Sequence, residues 1–242
     1  MLFSERRHDL PFYLRAAERA RGEVLEYGVG TGRVALHLAR AGHAVTGVDS
    51  SPEMLACLAE AARAEPPSVQ RLLRWHHGEA QTFSLGHRFE LCICPFNGIA
   101  HHHGPAALAR FLAKVHEHLA PAGLFAFDAL LPDPARLGGL VAEIPWFRHP
   151  RTQRIHRCSE TTSYDPLRRL LTVRIVLRPM EDHGEPQELA LSLYQLLPDE
   201  TPALLEQHGF ELVDPPAGLG DVVAYLCRRR LGAAAAAEGT SP

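Results

Sequence analysis

A chain of 242 residues that is 46% hydrophobic and 22% charged carries enough apolar material for one large domain, or one domain with a sizeable insertion. A formal net charge of −3 with no long lysine or arginine run argues against nucleic acid as the main partner. The five cysteines include no CxxC pair, MLFSERRHDL is too polar for a signal peptide, and no apolar run approaches the roughly 18 residues of a membrane span, so a cytoplasmic protein with no membrane partner is expected.

Residues 9–20, DLPFYLRAAERA, read as a short helix with Asp9 as cap and Pro11 in its first turn. EVLEYG (23–28) is a short apolar strand ending in glycine. GRVALHLAR, from Gly32 to Arg40, has helical spacing and stops at Gly42. HAVTGVDS (43–50) is a second strand, and residues 51–64 form a helix with Ser51 as N-cap and Pro52 at the first helical position. LLRWHH (72–77) and FELCICP (89–95) are third and fourth strands. A helix over 105–119 closes at the turn APAG, and LFAFDAL (124–130) is a fifth strand. Strands alternating with helices predict an α/β, doubly wound, mostly parallel sheet.

Near residue 140 the pattern changes. RIHRCSETTSY, RRLLTVRIVLRP and QELALSLYQLL read as three strands joined by turns. Leu171, Val173, Ile175 and Leu177 alternate with polar residues, the mark of a half-buried antiparallel sheet. A helix over 199–208 and two final strands, GFELVD and DVVAYLCRR, then return, for seven strands in the main sheet. The expected organisation is an α/β core with an N-terminal helix over 1–140, an antiparallel β insertion over 141–197, a completing helix and strand pair over 198–230, and a low-complexity, disordered tail over 231–242.

The segment EVLEYGVGTGRVALHLAR places Gly28, Gly30 and Gly32 between a strand and a helix. Glycines there let the backbone turn sharply and approach a ligand, and the N–H groups of the helix start favour a carboxylate. Asp49 closes the next strand, where a carboxylate can accept from both hydroxyls of a ribose. The spacing is GxGxG, with Arg33 where the third glycine of a nicotinamide fingerprint would fall.

VLEYGVGTGRVALHLARAGHAVTGVDSSPEML resembles the first two motifs of class I S-adenosylmethionine-dependent methyltransferases, VLELGCGTG and GVDxSxxML. The resemblance covers residues 9 to about 130 and returns at 198–228; DLPFYL is similar to the N-terminal helix of a bacterial small-molecule subgroup. Tyr27 and Val29 replace the usual leucine and cysteine of the loop. The resemblance implies a Rossmann-like methyltransferase fold and methyl transfer from S-adenosylmethionine, with S-adenosylhomocysteine as product, to a nitrogen or oxygen of a small-molecule acceptor. It also implies that the antiparallel insertion acts as a substrate lid. Glu26, Gly28 and Gly30 would line the amino-acid end of the cofactor, Asp49 would hold the ribose, and Ser50 and Met54 would flank the adenosine. GEAQTF (78–83) resembles the family's GDAxxF, putting Glu79 and the Ala80 N–H at the adenine, and Pro95, at the end of the fourth strand, is counted among the cofactor-binding residues. Tyr13 is a candidate for the methionine carboxylate. A methionine on an amphipathic helix is more often core filling, so Met54 carries both readings.

The stretch FNGIAHHHG (96–104) follows the fourth strand, at the carboxyl end where ligands bind in doubly wound sheets. The subgroup commonly has FNxxxHL here, which puts His101 at a position the family often fills with histidine. His101 and Asn97 are the candidate catalytic residues; His101 reads as general base or acceptor-positioning group. His102 and His103 read as loop residues. No Asp, Glu or Cys stands at recognisable ligand spacing, so no metal is expected. Asp128 ends the fifth strand as either a site residue or a satisfied acid, Tyr164, Arg174 and Tyr194 are lid contacts to be placed, and Cys92 and Cys94 read as core. An NAD(P)-dependent oxidoreductase and a non-catalytic cofactor-binding protein of the same fold stay open as alternatives. So does a homodimer formed through an exposed edge of the insertion.

Overall fold

The structure is a computed structural model and describes residues 7–148, 154–180 and 185–230; the tail expected over 231–242 lies outside them. Helix α1 (Leu10–Ala20) precedes strand β1 (Val24–Tyr27), α2 (Arg33–Arg40), β2 (Val45–Asp49), α3 (Pro52–Arg63), the short α4 (Pro67–Gln70), β3 (Leu73–His77) and β4 (Phe89–Cys94). A 3₁₀ turn (Gly98–His101) leads into α5 (Gly104–His118), β5 (Leu119–Leu130) and a short α6 (Pro134–Leu137). Strands β6 (Val141–Arg148), β7 (Ile155–Asp165), β8 (Leu170–Pro179) and β9 (Gln187–Tyr194) come next, and α7 (Thr201–Gln207), β10 (Phe210–Leu212), β11 (Ala217–Leu219) and β12 (Val222–Arg229) end the described chain.

The main sheet runs β10-β12-β5-β4-β1-β2-β3, with β11 also on β12. Strands β1 to β5 pair in parallel, while β12 enters antiparallel to β5 and its neighbours. The sheet has eight strands, not the expected seven. One edge position is shared: β10 pairs with Cys227–Arg229 and β11 with Val222–Ala224 of the same strand. The Asp214-Pro215-Pro216 stretch between them cannot supply ladder N–H groups at the prolines, so the edge strand breaks in two.

Cores lie on both faces. Tyr13, Val34, Leu38, Leu58 and Leu91 belong to one, and Leu25, Phe111, Phe125, Phe127 and Tyr225 to the other. Cys92 and Cys94 are buried, and burial pushes both thiols up. The short apolar strands are continuous rather than alternating because helices cover both sides.

Strands β6-β7-β8-β9 form a separate antiparallel sheet, four-stranded where three strands were expected. Residues 120–123, expected as a turn, run on with β5 through Ala122 at φ 59°, with a register shift against β4. Ser51 caps α3 as expected, accepting from the Met54 N–H at 3.2 Å. Asp9 occupies the N-cap position of α1, but its side chain makes no cap bond and instead pairs with Arg33. A charged bidentate partner outcompetes a helix N–H.

Candidate functional site at the carboxyl ends of the sheet

The glycine loop, Asp49, Glu79 and the turn bearing His101 stand at or after the carboxyl ends of the four neighbouring strands β1, β2, β3 and β4. The strand order reverses between β1 and β4, the kind of switch point beyond which open α/β sheets bind ligands. β1 ends at Tyr27, and the loop behind it turns through Gly28 at φ 68° and Gly30 at φ 54°. Nothing stands within 4 Å of where a Cβ on Gly28 would lie, so the demand there is for the left-handed backbone and the space beside it is open.

Asp49 is held at the end of β2 from both sides. The Gly30 N–H donates to Oδ2 at 2.7 Å and the Ser51 N–H to Oδ1 at 2.9 Å. Its carboxylate is thereby fixed in register with the glycine loop. Ser50 is exposed, and its carbonyl lies 3.1 Å from His77 Nε2. Met54 is 42% exposed, so it is not core filling. Beyond β3, Glu79 is exposed and Ala80 half-buried, while the Glu79 carbonyl accepts from Thr82 and Phe83. Pro95 is buried, and its carbonyl accepts from the Gly98 N–H.

Glu26 is 2% exposed and its Oε2 has no hydrogen-bond partner. Burial pushes its pKa up to about 8, against the opposing pull of the Arg33 guanidinium and of a backbone N–H of Ala35; Asp49 and Asp9 add to the rise. Arg33 itself grips Asp9 at 2.7 and 2.6 Å and lies 5.8 Å from the Phe96 ring centre. Glu26 therefore holds an unsatisfied acceptor beside the glycine loop, a place suited to an ammonium.

Tyr13 is fully buried, and its hydroxyl donates to Asp128 Oδ2 at 2.7 Å. Asp128 also accepts from the backbone N–H of Phe96 at 2.8 Å and of Asn97 at 2.7 Å. Phe96 and Asn97 are both left-handed, at φ 58° and 55°. Consecutive residues of that kind are costly, and the Asp128 carboxylate stabilises them by receiving both N–H groups. The Asn97 Oδ1 accepts from Leu130 N–H at 3.0 Å, which closes the loop onto the end of β5. Asp128 and Asn97 thus shape the loop that leads to His101.

His101 closes the 3₁₀ turn and reaches solvent. The protein packed about its ring, then His103, holds its pKa below the ordinary histidine value, while Asp49 pulls upward. His102 is buried, stacks on Phe111 with ring centres 4.0 Å apart and lies 3.2 Å from Gln81 Nε2. Burial carries its pKa down to about 4. His103 Nε2 lies 2.7 Å from the Ser192 carbonyl of β9 and so ties the loop to the antiparallel sheet. Among the described residues no three metal-binding side chains gather.

Tyr164 packs inward on the antiparallel sheet, whereas Arg174 is exposed and paired with Glu188 at 2.8 Å. Tyr194 packs against the main core. The Asp9–Arg33 pair and the Asp128 loop contacts had no local signal in the sequence, since each joins residues far apart in the chain.

Residues 24–123 match the family model described as a methyltransferase domain. Over 116 residues the chain is 34% identical to dTDP-3-amino-3,6-dideoxy-alpha-D-glucopyranose N,N-dimethyltransferase of Streptomyces fradiae, covering 48% of this chain and 42% of that one. The chain thus spans less than half the length of this curated relative. It resembles the CcbJ methyltransferase from Streptomyces caelestis with TM-score 0.76 and 25% identity over 93% of this chain and 91% of that chain. The fold also matches CalS10, an amino pentose methyltransferase from Micromonospora echinaspora with S-adenosylmethionine bound, at TM-score 0.73 and 20% identity over 93% and 92% of the two chains. Among the described residues no helix is long and apolar enough to cross a membrane. Residues 24–123 are thus similar in sequence to a methyltransferase domain, and the chain shares the fold of solved methyltransferases.

Proposed function

We propose that this protein moves the methyl group of S-adenosylmethionine to an amino nitrogen of a small, sugar-like metabolite. The observation that supports the reading is that the glycine loop with Glu26, Asp49 and the turn bearing His101 follow the carboxyl ends of the adjacent strands β1, β2 and β4. The orphaned Glu26 Oε2 fits the ammonium of the cofactor's amino-acid end, and Asp49, fixed by two backbone N–H groups, fits its ribose. The relatives that act on amino sugars support nitrogen as the accepting atom. The cysteine usage is that of a reducing cytoplasm.

When bound, the cofactor supplies an already activated methyl group on a sulfonium. The protein's share is geometry, worth on the order of 7 to 11 kcal/mol where acceptor, methyl and sulfur are aligned. The Asp128 carboxylate holds the Phe96–Asn97 backbone and so sets the approach to His101. With its pKa below the ordinary value, His101 is neutral at pH 7 and able to accept the proton an amine loses. The antiparallel sheet, joined to the loop through His103 and Ser192, closes the acceptor side.

Calorimetric titration with S-adenosylhomocysteine, with NAD as control, tests the cofactor half. Micromolar binding of the former alone is expected; binding of NAD instead overturns it. Transfer of labelled methyl to a dTDP-linked 3-amino sugar tests the acceptor half.

A further inference from the structure

Only four buried side-chain atoms among the described residues lack a hydrogen-bond partner: Glu26 Oε2, His116 Nε2, Glu160 Oε1 and Gln195 Oε1. Glu26 belongs to the cofactor site proposed above. Glu160 is the other carboxylate of the set, and it lies on the antiparallel sheet. We propose that Glu160 recognises the amino group of the acceptor, an inference that rests on the amine-acceptor reading above.

Along β7, residues 156, 158, 160, 162 and 164 share one face. Register sets Glu160 opposite Ile175, and Thr162 opposite Val173. Cys158, Leu171, Val173, Ile175 and Leu177 on this face form one buried cluster with Ala100, the residue before His101. The face that carries Glu160 is therefore the one that packs on the catalytic turn, and α6, four residues beyond β5, lies against it.

The next inward residue, Thr162, is fully used. Its hydroxyl donates to the Arg136 carbonyl at 2.6 Å and accepts from the Leu140 N–H at 2.9 Å. Glu160 is not. Its side chain is 13% exposed, and the nearest cation, Arg136 Nη2, stands 3.5 Å from Oε1 without a hydrogen bond. By contrast, Arg33–Asp9 and Arg169–Glu200 close at 2.6 Å. Arg136 is shared as well, 3.9 Å from Asp133. A mostly buried carboxylate with a slack ion pair and a spare acceptor is suited to a donor that arrives with the substrate. An ammonium brings both the N–H and the charge, whereas a hydroxyl brings only a weaker donor.

The test loads the protein with S-adenosylhomocysteine and titrates in dTDP-3-amino-3,6-dideoxyglucose and, separately, the analogue with a hydroxyl in place of the amine. Wild type is expected to prefer the amine by roughly tenfold, the scale of one charge-assisted hydrogen bond. Glu160→Gln is expected to lose that preference while holding S-adenosylhomocysteine within about twofold of wild type. Should that variant fail to hold S-adenosylhomocysteine, Glu160→Asp, which withdraws the charge without removing it, is expected to show the same loss. A preference retained in the variant that folds, or equal binding of both sugars by wild type, overturns the assignment. Binding of neither sugar by wild type that still binds S-adenosylhomocysteine rejects the amino-sugar acceptor, and this inference with it.

Discussion

The Tyr13 hydroxyl and Asp128 Oδ2 meet at 2.7 Å although they are 115 residues apart in the chain. Burial, then the negative charge of Asp128, raises the phenol's pKa well above its ordinary value, so it stays a donor at all working pH. This bond ties α1 to the end of β5, and the same carboxylate holds the backbone of Phe96 and Asn97. Tyr13→Phe is expected to lower the unfolding free energy by about 1.5 to 3 kcal/mol, as for a hydrogen bond to a charged group. The affinity for S-adenosylhomocysteine should change by less than about threefold, well under the 1.4 kcal/mol of a tenfold change. Urea unfolding and calorimetry read the two effects. A large loss of cofactor affinity at unchanged stability would return Tyr13 to the cofactor's carboxylate.

Asp49→Ala should weaken S-adenosylhomocysteine binding by at least ~1.5 kcal/mol, through lost charged hydrogen bonds. It also frees the Gly30 and Ser51 N–H groups, so Asp49→Asn, which keeps an acceptor, should fall between the two. A calorimetric titration showing no loss in either variant removes the ribose assignment.

Glu26 is expected to tie cofactor binding to pH. Its pKa in the folded protein is raised to about 8 from an ordinary value of 4.5. The folded state therefore holds this proton more tightly than the unfolded state. Stability from this group is lost as pH rises from about 4.5 through about 8. An ammonium ligand prefers the ionised acid, so S-adenosylhomocysteine affinity should rise roughly fivefold between pH 7 and pH 8. Glu26→Gln should flatten both dependences. Melting temperature and calorimetric affinity, each followed across pH for the two proteins, check this; parallel curves would remove Glu26 from the linkage.

His101→Ala is expected to lower turnover by roughly 10²- to 10⁴-fold, the range for a general base, and to leave S-adenosylhomocysteine affinity unchanged. Because its pKa is depressed, the wild-type rate at saturating cofactor should hold down to below pH 6.5 before protonation of His101 reduces it. Steady-state rates of methyl transfer against pH read both. Unchanged turnover in the variant removes His101 from catalysis.

The parts of the fold that local pattern encodes were legible in the sequence. Continuous apolar strands, the Ser51-Pro52 helix start and the glycine loop each announce themselves within a few residues. What escaped depended on distant partners. Strand β6 contains Pro145, which argues against a strand, yet β6 is an edge where a missing ladder N–H is tolerated. Strand β11 is only Ala217–Leu219 and owes its shape to β12. Asp9 has a cap's identity and position but finds Arg33. The strand that carries Glu26, the strand end at Asp49 and the loop that bears His101 stand where the spacing put them. That Met54 is exposed and Asp128 organises the loop depends on packing no short stretch records.

The antiparallel pairing of β12 with β5 also dictates an order of assembly. Cys227 pairs with Phe125 across the whole antiparallel sheet's length of chain, whereas β7, β8 and β9 pair with their immediate neighbours in sequence. During synthesis the local meander can close before the main sheet can, because β5 must wait for a strand made about a hundred residues later. Until then one side of Leu124–Leu130 stands as an open apolar ladder, a surface that invites pairing with another chain. A chain ended before Val222 would keep that edge permanently, and is expected to aggregate while still carrying an intact glycine loop.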